Sequence, residues 1–197
     1  MLEARGLECE RGGRTLFRDL SLSLESGALL RVAGPNGSGK TSLLRILCGL
    51  LSPSGGAVTW SGTPIASLRE EFARQLVYLG HAPAVKDDLT AGENIRIALC
   101  LSGLAFPEHQ IADALARFDV PDAPIRKLSQ GQKRRAALAR LCLSEAAPLW
   151  ILDEPFTALD STGTEILKAL IASHAGLVVF STHQDPGLAA TRTLELG

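Results

Sequence analysis

The 197-residue sequence lacks the features that would place it in a membrane or on a secretory pathway. No uninterrupted apolar run approaches the roughly 18 residues that a membrane-spanning helix needs. The N-terminus, MLEARGLECE, contains acidic residues and no apolar core of the signal-peptide type. No internal repeat, low-complexity tract or long linker is present. We therefore expect a soluble protein with a single domain over residues 1–197.

Charge bias and paired cysteines are also missing. The formal net charge is −1, so we expect no general attraction to nucleic acid or to anionic lipid. The four cysteines are far apart and form no C-x-x-C pair; they are Cys9, Cys48, Cys100 and Cys142. Isolated cysteines of this kind are usually small core residues in a reducing compartment, which favours a cytosolic protein.

Strand-like and helix-like segments alternate along the chain, which predicts an α/β fold. The predicted elements are an exposed antiparallel strand over 15–25 interrupted at Phe17, strands over 29–33 and 57–60, a helix over 40–50, a largely helical region over 90–145, and strands over 149–152 and 177–180. The last two runs are apolar throughout, as in strands that a parallel sheet buries on both faces.

Three of these strands lead directly into polar residues. The strand over 29–33 is followed by GPNGSGKT. The strand over 149–152 is followed by Asp153-Glu154, and the strand over 177–180 by Ser181-Thr182-His183. Ligands of open parallel sheets bind just beyond the carboxyl ends of the strands. We therefore predict one shared site at this edge of the sheet.

The first of these segments fits the phosphate-binding pattern G-x-x-x-x-G-K-[ST]; its residues are Gly34, Pro35, Asn36, Gly37, Ser38, Gly39, Lys40 and Thr41, with Ser42 next to them. The glycines allow backbone N–H groups to surround phosphate oxygens, and the following helix adds its positive N-terminal end. Lys40 is expected to reach the β- and γ-phosphates, and Thr41 to offer its hydroxyl to Mg²⁺. A plain glycine-rich turn is disfavoured because the pattern lies between a strand and a helix.

The second and third segments supply candidates for metal binding and catalysis. Asp153 can hold Mg²⁺ directly or through water, and Glu154 can orient and polarise an attacking water. Alternatively, Asp153 and Glu154 are a solvent-exposed acidic pair without a function, but the apolar run at 149–152 that precedes them argues against this interpretation. His183 could bond a γ-phosphate oxygen from its position beside the other two strands, although a lone histidine is often a bystander.

The stretch Leu128-Ser129-Gln130-Gly131-Gln132 resembles the start of a helix, with Ser129 as its N-cap. A polar helix start of this kind is a second potential anion site. The basic run Lys133-Arg134-Arg135 follows directly, and we interpret it as a solvated helix face rather than a nucleic-acid contact.

Several of these motifs, taken in chain order, resemble the nucleotide-binding subunits of ATP-binding-cassette (ABC) transporters: the loop at 34–41, LSQGQ at 128–132, the segment 149–154, Thr157-Ala158-Leu159-Asp160, and His183. The likeness covers nearly the whole chain. It implies a P-loop NTPase of the ABC type, with a mostly parallel α/β core sheet, an antiparallel β edge and a helical subdomain at about 90–145.

The resemblance also implies a dimer in which two copies sandwich two ATP molecules and Mg²⁺. In such a dimer, Ser129 and Gly131, together with Gln132 of the same motif, would contact the γ-phosphate bound by Lys40 of the other copy. Asp160 would lie in the loop that crosses the dimer seam.

Three positions depart from the usual family pattern. His81, in the stretch YLGHAPAV, stands where the family usually has a glutamine that senses the Mg²⁺–γ-phosphate site and moves with the membrane partner. Arg11 stands where an aromatic residue usually stacks on adenine, and its guanidinium plane offers a different stacking surface. Gln130 replaces the commoner glycine of the signature.

Within the family, LEARGLECER, TLFRDLSLSL, YLGHAPAVK, DDLTAGENI and LSQGQKRRAALARL are similar to the ATPases of the cytochrome c maturation system. This likeness implies Mg-dependent ATP hydrolysis coupled to an integral membrane subunit of a haem-export complex, by a peripheral protein on the cytoplasmic face of the inner membrane. The alternatives are an ATPase for another small cargo, a P-loop small-molecule kinase, and a soluble cassette acting on ribosomes or DNA. A kinase does not account for LSQGQ or for His183. A soluble cassette of that kind would usually join two cassettes in one chain or insert a coiled coil, and neither is present.

Overall fold

The protein is described by a computed structural model that covers all 197 residues, Met1–Gly197. The strands are β1 (Leu2–Arg11), β2 (Arg14–Leu24), β3 (Leu29–Ala33), β4 (Gly55–Trp60), β5 (Thr63–Pro64), β6 (Leu76–Leu79), β7 (Leu149–Leu152), β8 (Leu177–Thr182) and β9 (Arg192–Glu195). The helices are α1 (Lys40–Leu47), α2 (Ile65–Leu68), α3 (Glu70–Arg74), α4 (Ala91–Leu101), α5 (Glu108–Arg117), α6 (Gln130–Ala139) and α7 (Ser161–Ser173), and 3-10 turns cover Ile125–Lys127 and Arg140–Leu143.

The strands form two sheets. β6, β7, β8, β3 and β9 make a parallel sheet in that order, and β2, β1, β4 and β5 make an antiparallel one. The mixed α/β fold with an antiparallel edge is thereby confirmed. In the parallel sheet Leu152 pairs with Phe180, and Ala33 pairs with Thr182. The carboxyl ends of β7, β8 and β3 therefore lie side by side, as their sequences predicted.

Strand β7 separates two hydrophobic cores because its side chains alternate between them. Leu149 and Ile151 face a core shared with α1 and the antiparallel sheet, while Trp150 and Leu152 face a core shared with α4 to α7. All four side chains are fully buried. This two-sided burial explains why the run reads as continuously apolar rather than alternating.

Some expected boundaries differ in detail. Helix α1 ends at Leu47 rather than at residue 50, because Gly49 takes a left-handed φ of 74° and its N–H bonds back to Ile46 O at 3.0 Å. Phe17 breaks the alternation of β2 because the β1–β2 register shifts between the Leu7–Leu20 and Cys9–Phe17 pairs.

The expectation that all four cysteines are core residues is partly wrong. Cys9 and Cys48 are buried, Cys142 is half-buried, and Cys100 is exposed on α4. All four are free thiols. No helix in the structure is both long enough and apolar enough to cross a bilayer.

Candidate functional site

The loop between β3 and α1 has a backbone that requires glycine. Gly34, Gly37 and Gly39 have φ values of 145°, 82° and 100°. A Cβ on Gly34 would lie 2.2 Å from Leu196 O and 2.7 Å from Ser38 Oγ, so a side chain there would displace the loop. The glycines thus allow a tight turn whose N–H groups lead into the start of α1.

Lys40 lies across this loop at the first position of α1. Its Nζ donates to Gly34 O at 2.8 Å and to Pro35 O at 2.9 Å, and the side chain is 5% exposed. An ammonium held by two neutral carbonyls has no counter-charge of its own. The arrangement therefore favours an anion at this position.

A cavity of about 460 Å³ opens beside Lys40. Its wall is formed by Leu16, Asn36, Gly37, Gly39, Lys40, Thr41, Ser42, His81 and Glu154. The structure therefore brings most of the predicted phosphate-loop residues together with two residues from other strand ends. Leu16 is a wall residue that sequence reasoning missed, because its position on β2 is remote from the loop in sequence.

Asp153 is fully buried at the carboxyl end of β7. Its Oδ1 accepts a hydrogen bond from Ser181 Oγ at 2.7 Å, whereas its Oδ2 has no partner. A buried carboxylate oxygen without a donor is unfavourable unless a cation or water completes it. Asp153 thus has the chemistry of a metal ligand, directly or through water.

Glu154 follows in a strained backbone conformation, with a φ of 48°. Its N–H donates to Ser181 Oγ at 2.8 Å. Its Oε2 lies 3.6 Å from His81 Nδ1 and 3.8 Å from His183 Nδ1. Since β6, β7 and β8 are neighbours, these three side chains come from three successive strand ends. A carboxylate between two imidazoles can accept a proton from a water that enters the cavity.

Ten predicted site residues do not line this cavity: Gly34, Pro35, Ser38, Asp153, His183, Arg11, Ser129, Gly131, Gln132 and Asp160. Ser129 is the N-cap of α6 and forms a capping box with Gln132: its Oγ accepts from Gln132 N at 3.2 Å, and its N donates to Gln132 Oε1 at 2.9 Å. Asp160 caps α7 through Gly163 N at 2.8 Å and pairs with Arg135 at 3.2 Å. Ser129 is exposed and Gly131 is half-exposed, so both could meet a second molecule.

The predicted stacking residue Arg11 is exposed at the end of β1, opposite Arg14 in the hairpin. It does not form part of the cavity wall, whereas Leu16 does. Its contact with adenine stays a prediction.

The interpretation of Lys133-Arg134-Arg135 as a solvated helix face is wrong. Arg134 is 4% exposed, and the side chains of Lys133 and Arg135 are 18% and 15% exposed. Burial lowers the pKa of Arg134, while the negative charges of Asp153 and Glu154 oppose that shift. The sequence could not reveal this burial because the partners of Arg134 are backbone groups of distant strands.

Comparisons with known proteins agree with this architecture. The family model described as ABC transporter matches residues 17–157. The cytochrome c biogenesis ATP-binding export protein CcmA of Aromatoleum aromaticum is 52% identical over 98% of this chain and 94% of its own length. The protein of the same name from Nitrosomonas europaea is 49% identical over 94% of this chain and 89% of its own length.

Solved structures show the same fold. An ABC transporter ATP-binding protein from Pyrococcus furiosus has a TM-score of 0.86 at 25% identity, with 99% of this chain and 96% of the other covered. The ATP-binding cassette MJ0796, described as a dimer bound to ADP and Pi, has a TM-score of 0.84 at 24% identity, with coverages of 100% and 94%.

The chain belongs to the ABC transporter family and, within it, to the family of the CcmA relatives. It is an ATP-binding cassette that hydrolyses ATP. The small-molecule kinase alternative is therefore excluded.

Proposed function

We propose that this chain is the ATP-hydrolysing subunit of a membrane export complex that serves cytochrome c maturation by delivering haem to the periplasmic side. The relatives of about half identity over nearly the full length support the biological role. The chemistry is carried by one observation, namely that Glu154 lies between two imidazoles at the edge of a cavity that also contains Lys40.

In the proposed reaction the phosphate loop and Lys40 hold the triphosphate. Lys40 exchanges its two loop carbonyls for phosphate oxygens, which an ammonium prefers because they are charged. Glu154 orients the attacking water and accepts its proton at a carboxylate oxygen. His183 donates a hydrogen bond to the γ-phosphate, where negative charge develops during transfer.

Thr41 and Asp153 are proposed to hold Mg²⁺. The unpartnered Oδ2 of Asp153 fits this role, and no group of three or more His, Cys, Asp or Glu side chains is placed to bind a metal without phosphate. When bound with the nucleotide, Mg²⁺ neutralises charge on the phosphates.

A second copy is proposed to complete the site. Ser129 is exposed and Gly131 and Gln132 are half-exposed at a helix start that carries no acidic side chain in its first turn, and such starts attract phosphate. In the proposed dimer this start covers the γ-phosphate bound by the other copy, while Asp160 lies near the seam.

An integral membrane subunit is the remaining proposed partner, with the chain attached at the cytoplasmic face of the inner membrane. Two exposed large apolar side chains on α4, Ile97 and Leu101, support a docking surface. α4 also lines, through Asn94, a cavity of about 200 Å³ whose wall includes His81. A partner seated there would be linked to the nucleotide site through His81.

The proposal is tested in cells that lack the chromosomal copy of this gene. The parental chain should restore haem-stained c-type cytochromes and should co-purify with membrane subunits from detergent extracts. Glu154→Gln should co-purify equally but restore no cytochrome, because it assembles without hydrolysing ATP. Full maturation in cells that carry only Glu154→Gln would contradict the proposed role.

A further inference from the structure

Arg134 projects from α6 into the ends of two strands of the parallel sheet. It lies five residues after the N-cap Ser129, on the same helix, and is 4% exposed. Such burial is unusual for an arginine unless its donors are satisfied. Its contacts therefore indicate what it does.

The guanidinium of Arg134 donates to four backbone carbonyls. Nη1 donates to Gly80 O at 2.9 Å and to His81 O at 3.2 Å. Nη2 donates to Asp153 O at 3.1 Å and to Glu154 O at 2.8 Å. One side chain thus joins the segment that carries His81 to the segment that carries Glu154.

These carbonyls need an external donor because the β6–β7 ladder has already ended. Leu79 pairs with Leu152, and the last bond between the two segments runs from Asp153 N to Leu79 O at 2.7 Å. Carbonyls beyond that point would be left without partners at a partly buried edge, which costs free energy. A planar guanidinium is the side chain that can serve two pairs of acceptors at once.

The contact also fixes the unusual backbone of Glu154. A non-glycine residue with a φ of 48° is held only when its surroundings specify it. Ser181 Oγ accepts from the N–H of Glu154, and Arg134 donates to its carbonyl. The peptide groups on both sides of Glu154 are therefore restrained, which sets the direction of its carboxylate.

We propose that Arg134 is a positioning residue for ATP hydrolysis, which holds Glu154 and His81 in place from the helix that begins at Ser129. This inference rests on the proposed role of Glu154 in hydrolysis. Because the side chain of Arg134 makes no hydrogen bond to the phosphate loop, its loss should affect the chemical step and leave nucleotide binding intact. It also gives a direct link between the exposed helix start and the carboxylate that acts on water.

The test uses the full chain with the substitutions Arg134→Gln and Arg134→Lys, with Lys133→Gln as a matched control. Lys133 lies on the same helix but pairs only with the exposed Asp87, at 3.3 Å. For each variant, kcat and KM of ATP hydrolysis, the Kd for ATP and the Tm are measured. Glu154→Gln is measured beside them.

Arg134→Gln should lower kcat about a hundredfold, as expected for a misplaced catalytic group. Its Kd for ATP should change by less than about threefold, because ground-state binding is untouched. The kcat of Arg134→Lys should lie between those of Arg134→Gln and the parent, since an ammonium keeps the positive charge but cannot donate to both pairs of carbonyls as the planar guanidinium does. Lys133→Gln should match the parent.

An unchanged kcat in a folded Arg134→Gln variant would overturn the inference, as would equal losses in kcat and ATP affinity. Should Arg134→Gln fail to fold, Arg134→Lys decides by the same criteria. Unfolding of both variants would assign Arg134 a structural role and would also contradict the inference. The proposed function fails separately, if Glu154→Gln turns over ATP at the parental rate.

Discussion

At the scale of single residues, His81 stands out because its imidazole faces the same oxygen of Glu154 as His183 does. A neutral imidazole can replace an amide as donor or acceptor, whereas an imidazolium would be repelled by a nearby metal ion. His81 also lines the cavity beneath α4. We therefore expect it to matter for coupling to the membrane partner more than for ATP affinity.

His81→Gln should retain substantial hydrolysis, because an amide supplies a similar polar group. His81→Ala should bind ATP nearly as the parent does but should lose stimulation by the membrane subunits. The measurement is the ATPase rate of all three forms with and without those subunits. Equal stimulation of the parent and the alanine variant would show that His81 has no part in coupling.

His174 gives a prediction about stability. Its ring stacks on Trp150 with a centroid distance of 3.9 Å, and neither of its nitrogens has a hydrogen-bond partner. Burial lowers the pKa of His174 below its ordinary 6.5, and Glu145 opposes the shift only in part. As the pH falls, the imidazole of His174 is therefore protonated in the unfolded chain before it is protonated in the folded chain. The contribution of His174 to the free energy of unfolding is present above about pH 6.5 and is lost as the pH falls below that value.

Replacing His174 with phenylalanine keeps a flat ring on Trp150 and removes the titration. The Tm of His174→Phe should fall less than that of the parent between about pH 7.5 and about pH 5.5. Thermal unfolding at several pH values measures this difference. Parallel Tm curves for the two proteins would mean that His174 is not a source of acid sensitivity.

At the scale of elements, the N-terminus of α6 has one observed role and one proposed role, both at Ser129. Ser129 caps its N-terminus and is also the proposed contact for a γ-phosphate in a second copy. These roles can be separated because aspartate caps a helix as well as serine does. Its negative charge, however, would repel a phosphate at the same position.

Glu154→Gln with ATP and Mg²⁺ should form a dimer, since bound ATP is no longer consumed. Glu154→Gln combined with Ser129→Asp should stay monomeric, with a Tm close to that of Glu154→Gln alone. Light scattering with and without ATP provides the measurement. A dimer that forms equally well with Ser129→Asp would contradict the composite site.

Elements could be predicted from the sequence when their signals lie in a short contiguous stretch, and were missed when they depend on distant residues. The strand β7 could be predicted because all four residues are apolar, and the loop at 34–41 because its glycines and Lys40 are contiguous. Strand β9 was missed because Arg192–Glu195 is a polar edge strand that is ordered by pairing with β3. Arg134 was misread because its four acceptors come from segments about 20 and more than 50 residues away.

At the scale of the whole molecule, the parallel sheet gathers side chains from sequence-distant segments at one edge. The phosphate loop follows β3, His81 follows β6, Asp153 and Glu154 follow β7, and His183 follows β8. The two hydrophobic cores hold the sheet between the antiparallel edge and the helical region, so this edge is fixed from both faces. The central claim is that this assembled edge hydrolyses ATP with Glu154 acting on water.

ATP binding and ATP hydrolysis by Glu154→Gln, measured on the same preparation, test that claim most directly. Lys40→Ala is the contrasting variant. It should lose nucleotide-dependent activity altogether, because the positively charged side chain that binds the phosphates is removed. Glu154→Gln should bind ATP with the affinity of the parent and show almost no hydrolysis, since Asp153 and Lys40 remain while the amide cannot accept a proton. Hydrolysis by Glu154→Gln at the parental rate would contradict the account.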